Sequence, residues 1–173
     1  MSVARTILIV IGAVLSILGT YVIALYGGGP WAASGIGFIT NTFVGGFFGL
    51  PFIADPATYA AAAGIEVWLF FVILGVFLVF LVAGFLQLVG LKSKVVGAIF
   101  SLIPLGVGIF FILLFYTPIL GGISGTFAIF FLGEPIGGFI PIMIDIGDGI
   151  GLGAFFLVGG GALGFVGSLL SKD

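Results

Sequence analysis

The chain has 173 residues, 62% of them hydrophobic and only 6% charged, with a formal net charge of −2 and a mean hydropathy of +1.52. Soluble domains carry about 25% charged residues and leave a large part of their surface in water, so this composition excludes a soluble globule and makes the lipid bilayer the solvent. The lack of cysteine and histidine removes disulfides, thiolate nucleophiles, imidazole ligands and the commonest general base, and the lack of a basic patch argues against nucleic acid as a partner.

The first apolar run, 6–26, follows Arg5. A membrane helix needs about 20 apolar residues, and this run is too long for a signal-peptide core. "YGGGPW" follows it instead of a small-residue cleavage pattern, so it reads as an uncleaved span. Gly12, Ser16 and Gly19 form a stripe of small residues, the device by which helix backbones approach each other in lipid.

The outer segment 27–66 begins "GGGPWAASGIGFITNTFVGGFFGLPFIAD". It is apolar for a loop and too punctuated by glycine and proline for a span. Trp31 is expected at the outer interface. "GFITNTFVGGFFG" carries strand-forming residues between glycines and predicts short strands or an interfacial cap. "TFVGGFFG" has the texture of an ion filter, but a filter needs carbonyls from four symmetric loops, and the second outer segment has no counterpart. "ADPATYAAAAGIEVW" predicts a helix capped by Asp55 with Pro56 in its first turn. Extended to residue 90 it would be about 52 Å long, against ~30 Å of hydrocarbon. Its first turns would then project outward, with Trp68 at the outer interface and Glu66 just above. Glu66, near the membrane boundary, is a candidate proton or ion site.

The second span, 67–90, is bulky in Phe, Leu and Val, with Gln87 placed for a helix–helix hydrogen bond. In "GLKSKVVG", Lys92 and Lys94 mark a short turn into the third span, 95–116, which offers Gly97, Ser101 and Gly108 and should bend at Pro104. The outer segment 117–149 is again apolar. Its "TFAIFF" is ambiguous between strand and helix, and Glu134 reads as a turn residue. Asp145 and Asp148, in "DIGDG", form either a cation loop with backbone carbonyls or the N-terminal cap and dipole partners of the last helix. In the fourth span, 150–170, Gly153, Gly160, Gly164 and Gly167 share a face. This predicts that span 4 packs centrally and that span 2 faces lipid or a partner.

The charges are segregated. Arg5, Lys92, Lys94 and Lys172 fall on one side of a four-span chain, and Asp55, Glu66, Glu134, Asp145 and Asp148 on the other. Basic segments stay cytoplasmic, so both termini are expected inside a cell membrane. The two halves repeat a plan, with Tyr26 and Tyr116, Ser34-Gly35 and Ser124-Gly125, Pro51 and Pro141, and Asp55 and Asp145 at matching places, as a tandem duplication would leave them. The expectation is one all-α integral membrane domain, 1–173: a four-transmembrane-helix bundle whose outer segments are interfacial, re-entrant or built of short β-strands.

This plan, with Trp31 followed by Gly49-Leu50 in the first outer segment, resembles the claudin and peripheral-myelin-protein group of tetraspan proteins. In that group the first loop carries a Trp, then Gly-Leu-Trp, then two cysteines. Here Pro51 stands in place of the second Trp and both cysteines are absent. The resemblance implies a small outer β-sheet and lateral or cell–cell assembly. The expected function is non-catalytic: lateral assembly, adhesion or accessory packing in a membrane complex, as a homo- or hetero-oligomer. The alternative is a small channel or transporter using re-entrant outer segments and Glu66 or Asp145. No cofactor, metal ligand or catalytic residue is assigned, since no nucleophile–base pair or metal cluster is visible in the sequence.

Overall fold

A computed structural model describes residues 3–28, 30–45, 49–120 and 129–170. Lys172, the Ser124-Gly125 pair and the glycine–phenylalanine centre of "TFVGGFFG" lie outside them. Four helices are long and apolar enough to cross a membrane. The first is α1 (Val3–Ile17), which widens into a π-helical turn at Leu18–Val22. After it come β1 (Gly27–Gly28), β2 (Trp31–Ala33) and two short helices, α2 (Gly35–Phe43) and α3 (Pro56–Ala63). The second long helix, α4 (Val67–Leu86), tightens to a 3₁₀ turn at Gln87–Leu91 and leads into α5 (Lys94–Tyr116). Strands β3 (Leu132–Gly133), β4 (Asp145–Gly147) and β5 (Ile150–Gly151) precede the last helix, α6 (Leu152–Leu169).

Glycine decides which helices touch. A methyl group placed on Gly12 of α1 would sit 2.6 Å from the Gly164 nitrogen and 2.7 Å from the Gly160 oxygen of α6. One on Gly161 would meet the Leu105 nitrogen of α5 at 2.6 Å, and one on Gly108 the Ala154 oxygen at 2.7 Å. Helix α6 is therefore in backbone contact with α1 on one side and α5 on the other. Lipid gives helices little hydrophobic drive to associate, so such close packing is the main source of cohesion. Gly19 and Gly153 continue the α1–α6 contact toward the C-terminal end of α1, and Gly167 packs on Leu8 and Ile9 toward its N-terminal end.

Helix α4 is built differently. Over most of its length its inward face is Phe70, Leu74, Phe77, Phe80 and Leu81, too bulky for backbone contact, and near its C-terminal end Gly84 approaches α1, with the Ile17 nitrogen 3.2 Å from where a methyl would sit. The space beside the bulky face is filled by the outer segments. Phe131, at the end of helical residues 129–131, has its ring centroid 4.7 Å from that of Phe77, 5.1 Å from Phe38 of α2 and 5.4 Å from Phe111 of α5. Phe130 does the same one level outward, against Phe52, Phe70 and Phe77. The first turn of α2 reaches Leu81 and Thr20, with Gly35 against both. Leu81 lies about 21 Å along α4 from Val67 at ~1.5 Å per residue.

Three local expectations are corrected. The helix that starts at Pro56, capped by the Asp55 carboxylate on the Thr58 amide at 3.3 Å, does not run on to residue 90. Gly64 adopts a left-handed conformation (φ +65°). The Gly64 amide donates to the Ala61 carbonyl and the Ile65 amide to the Ala60 carbonyl, both at 3.0 Å, a Schellman stop, and α4 begins afresh at Val67. Second, "GIGFITNTF" is helical and not a strand. The Ser34 hydroxyl accepts from the Gly37 amide at 3.2 Å, and the helix it caps buries Gly35, Phe38, Asn41 and Thr42 on one side. Third, the first span ends at Val22, and Tyr26, expected within it, lies in an isolated β-bridge to Ile150.

The packing predicts an ordered mutational series. Gly12→Ala should lower stability by about 1–3 kcal/mol, the usual cost of overpacking. Gly75→Ala and Gly106→Ala, whose new methyls meet nothing within 4 Å, should be neutral or slightly stabilising. Thermal unfolding of the purified protein in one detergent checks the order.

Candidate functional site

Polar groups occur in two places. The first is inside the bundle. The Gln87 amide donates to the Ser16 hydroxyl at 3.0 Å, joining the 3₁₀ turn after α4 to α1, with Gly164 of α6 beside the Gln87 side chain. The Arg5 guanidinium, fully buried, donates to the Gly90 carbonyl. Ser101 and Thr20 hydroxyls donate back into their own helices, to the Gly97 and Ser16 carbonyls at 2.7 Å each. The Gln87 and Arg5 bonds tie one element to another, and the two hydroxyl bonds stay within their own helices. Arg5 and Gly90 are thereby at the same end of the bundle, the end that also carries Lys92 and Lys94.

The second place is the opposite end, where the two outer segments form a cap. Strands β1, β2 and β3 make an antiparallel sheet with Ala32 opposite Gly133 and Ala33 opposite Leu132. Asn41 of α2 is the clamp between the segments. It is 6% exposed, and its side-chain amide donates to the Ile129, Phe130 and Leu132 carbonyls at 3.2, 3.2 and 2.8 Å. This supplies partners to backbone that neither a sheet nor a helix satisfies, as apolar surroundings require. Tyr26 is buried below the sheet between Phe111 and Phe115, with both centroid separations 5.1 Å. Burial pushes its hydroxyl well above the ordinary tyrosine range, and a hydrogen bond with the Phe131 backbone pulls the other way without offsetting it.

The candidate acids are not brought together. Glu66 is exposed at the start of α4 and makes no side-chain cap. Asp145 and Asp148 do not cap α6, whose first turn follows Gly151 with no side-chain cap at all. They belong instead to the β4–β5 hairpin. Gly147 pairs with Ile150 across a two-residue loop, Asp148-Gly149, in which both residues have positive φ (53° and 81°), as a type I′ turn demands. The Asp145 carboxylate accepts from the Gly147 amide at 2.8 Å, fixing that turn. Among the described residues no three acids form a group able to hold a metal ion. Trp68 is 66% exposed on α4 and Trp31 46% exposed on β2.

Two clefts open on the cap. One, of about 530 Å³, is bordered by Trp31, Thr40, Asn41, Gly45 and Glu134. The other, of about 410 Å³, lies on the far side of Trp31 against Phe139, Pro141 and Ile142. Searches against protein-family models, curated proteins and solved structures find no match to the chain, so the site is read from its own chemistry.

The sequence reading passed over Asn41 and the burial of Arg5. An asparagine inside an apolar run is the signal that marks the first, since such a residue must find backbone partners. If the clamp is as central as its bonds indicate, Asn41→Leu should cost on the order of 1–3 kcal/mol through the carbonyls it strands. Thr40→Ala, on an exposed position of the same helix, should cost far less; paired melting curves decide.

Proposed function

We propose that the chain is a non-catalytic integral membrane protein, with both termini cytoplasmic, whose outer cap binds other membrane proteins laterally or from the adjoining face. The observation that carries this reading is the surface of the second outer segment. Ile136, Phe139, Ile140, Ile142, Ile144 and Ile146 are all exposed, Phe139 to 77%, around the Gly137-Gly138 turn. Contiguous apolar surface of this kind marks an interaction site. The belt of exposed Val, Ile and Phe on the outward faces of α1, α4 and α5 supports lipid as the lateral solvent. The sheet of β1, β2 and β3 fits the small outer sheet that a claudin-like protein would have.

We prefer assembly to transport for two reasons. The α1–α6 and α5–α6 interfaces are backbone against backbone, leaving no width for a path between them. Glu66 and Asp145 are exposed on the cap and do not line the bundle. In this reading the first turn of α2 is a re-entrant element, covered by protein on the sides where its backbone would otherwise meet lipid.

Two measurements test the proposal. For orientation, a single cysteine at Phe139 should react with a membrane-impermeant maleimide on intact cells and one at Lys92 should not; the reverse pattern would invert the topology. For assembly, the protein in mild detergent should migrate as an oligomer or carry a stoichiometric membrane partner. Ile136→Ser with Phe139→Ser should abolish that association and leave the melting temperature within about 2 °C, as expected for exposed positions. A parent protein that is monomeric and partnerless in native lipid would end the assembly reading.

A further inference from the structure

The 530 Å³ cleft has a chemistry of its own. Trp31 precedes Ala32 of β2 and Glu134 follows Gly133 of β3, the two paired residues at this end of the sheet. Trp31 and Glu134 both border the cleft, and both are exposed. The floor is held by Asn41, which bonds the Ile129, Phe130 and Leu132 carbonyls. An indole and a carboxylate bordering one hollow supply the two groups that attract an organic cation.

Among the described residues no cation stands near it. The described basic residues are Arg5, Lys92 and Lys94, and all stand at the other end of the bundle, beyond the reach of screened charge. A bare metal ion is a poor fit, because calcium takes six to eight oxygens and magnesium an octahedron, whereas one carboxylate and a ring suit a partly desolvated ammonium. The volume lies in the range of small-molecule sites. Tryptophan is also the residue that settles at the headgroup level of a bilayer.

We propose that this cleft binds an alkylammonium group, with the Glu134 carboxylate as counter-ion and the Trp31 ring as the cation–π face. The group is carried by a zwitterionic phospholipid headgroup or by a free amine. The inference does not depend on the assembly reading, which concerns the other side of Trp31.

The test uses the full chain with Trp68→Phe, which leaves Trp31 as the sole indole of the two in the sequence, in phosphatidylglycerol nanodiscs at fixed ionic strength. One arm adds ethanolamine; the other replaces part of the lipid with phosphatidylethanolamine. A saturable change in Trp31 emission is expected in at least one arm. It should be at least tenfold weaker in Glu134→Gln and unchanged in Asp148→Asn, which removes an equal charge elsewhere on the cap. A response to ethanolamine alone assigns a soluble amine, and a response to the lipid arm alone assigns a headgroup. No saturable change in either arm, or equal binding by Glu134→Gln, overturns the proposal. As an independent reading, any rise in melting temperature given by the active probe must vanish in Trp31→Leu, and its persistence there would also overturn the site.

Discussion

The contact on which the structure depends is the meeting of backbones along α6. Inside a bilayer, side-chain burial gives helices no advantage over contact with lipid, so helices must either come close enough for main-chain atoms to touch or have something placed between them. Gly160, Gly161 and Gly164 let α6 do the first with α1 and α5 at once. No residue with a side chain fits there, since Gly161 already faces the Leu105 nitrogen and the Ser101 oxygen at 2.6 and 2.7 Å from where its methyl would be. The three helices so joined form a thin layer. The fourth, α4, has phenylalanines over most of the face where the others have glycines, and approaches α1 closely at Gly84.

The outer segments resolve that conflict, and this explains why they are so apolar. They are core as well as loop. Phe130 and Phe131 from one segment and Phe38 and Phe52 from the other form a ladder of rings beside α4. Irregular backbone carried into such a place must be hydrogen-bonded internally. Ser34 caps the helix that enters, Asn41 gathers three carbonyls, and the Leu25 and Ala33 backbones pair through an amide–carbonyl bond of 2.8 Å. The two segments therefore stabilise each other, and neither would keep this shape with the other removed.

Much of this was legible in the sequence, and the parts that were not share a cause. Hydropathy located the four long helices because about 20 apolar residues have no other stable use. The glycine face of the last span pointed to its central place because close packing needs small residues. The failures came where two local signals competed. In "GIGFITNTF" the β-branched and aromatic content outweighed Ser34 as an N-cap and the helical spacing of Phe38 and Asn41. In "AAAAGI" a run of alanine hid the stop that Gly64 supplies. In "DIGDG" the position before a helix suggested a cap, although Asp-Gly between apolar residues is also a strong hairpin signal. That Trp31 and Glu134 border one cleft was out of reach, because it depends on a strand pairing between residues more than half the chain apart.

The division of labour that results bears on function. The interior of the bundle is committed: Gln87 and Arg5 tie elements together, Ser101 and Thr20 bond back into their own helices, and glycine contacts join the three helices backbone to backbone. The cap is the part with chemistry to spare. Among the described residues it holds Asp55, Glu66, Glu134, Asp145 and Asp148 and none of Arg5, Lys92 and Lys94, and it exposes isoleucine and phenylalanine beside those acids. A surface that is apolar and anionic together is poorly matched to water, and poorly matched to an anionic lipid.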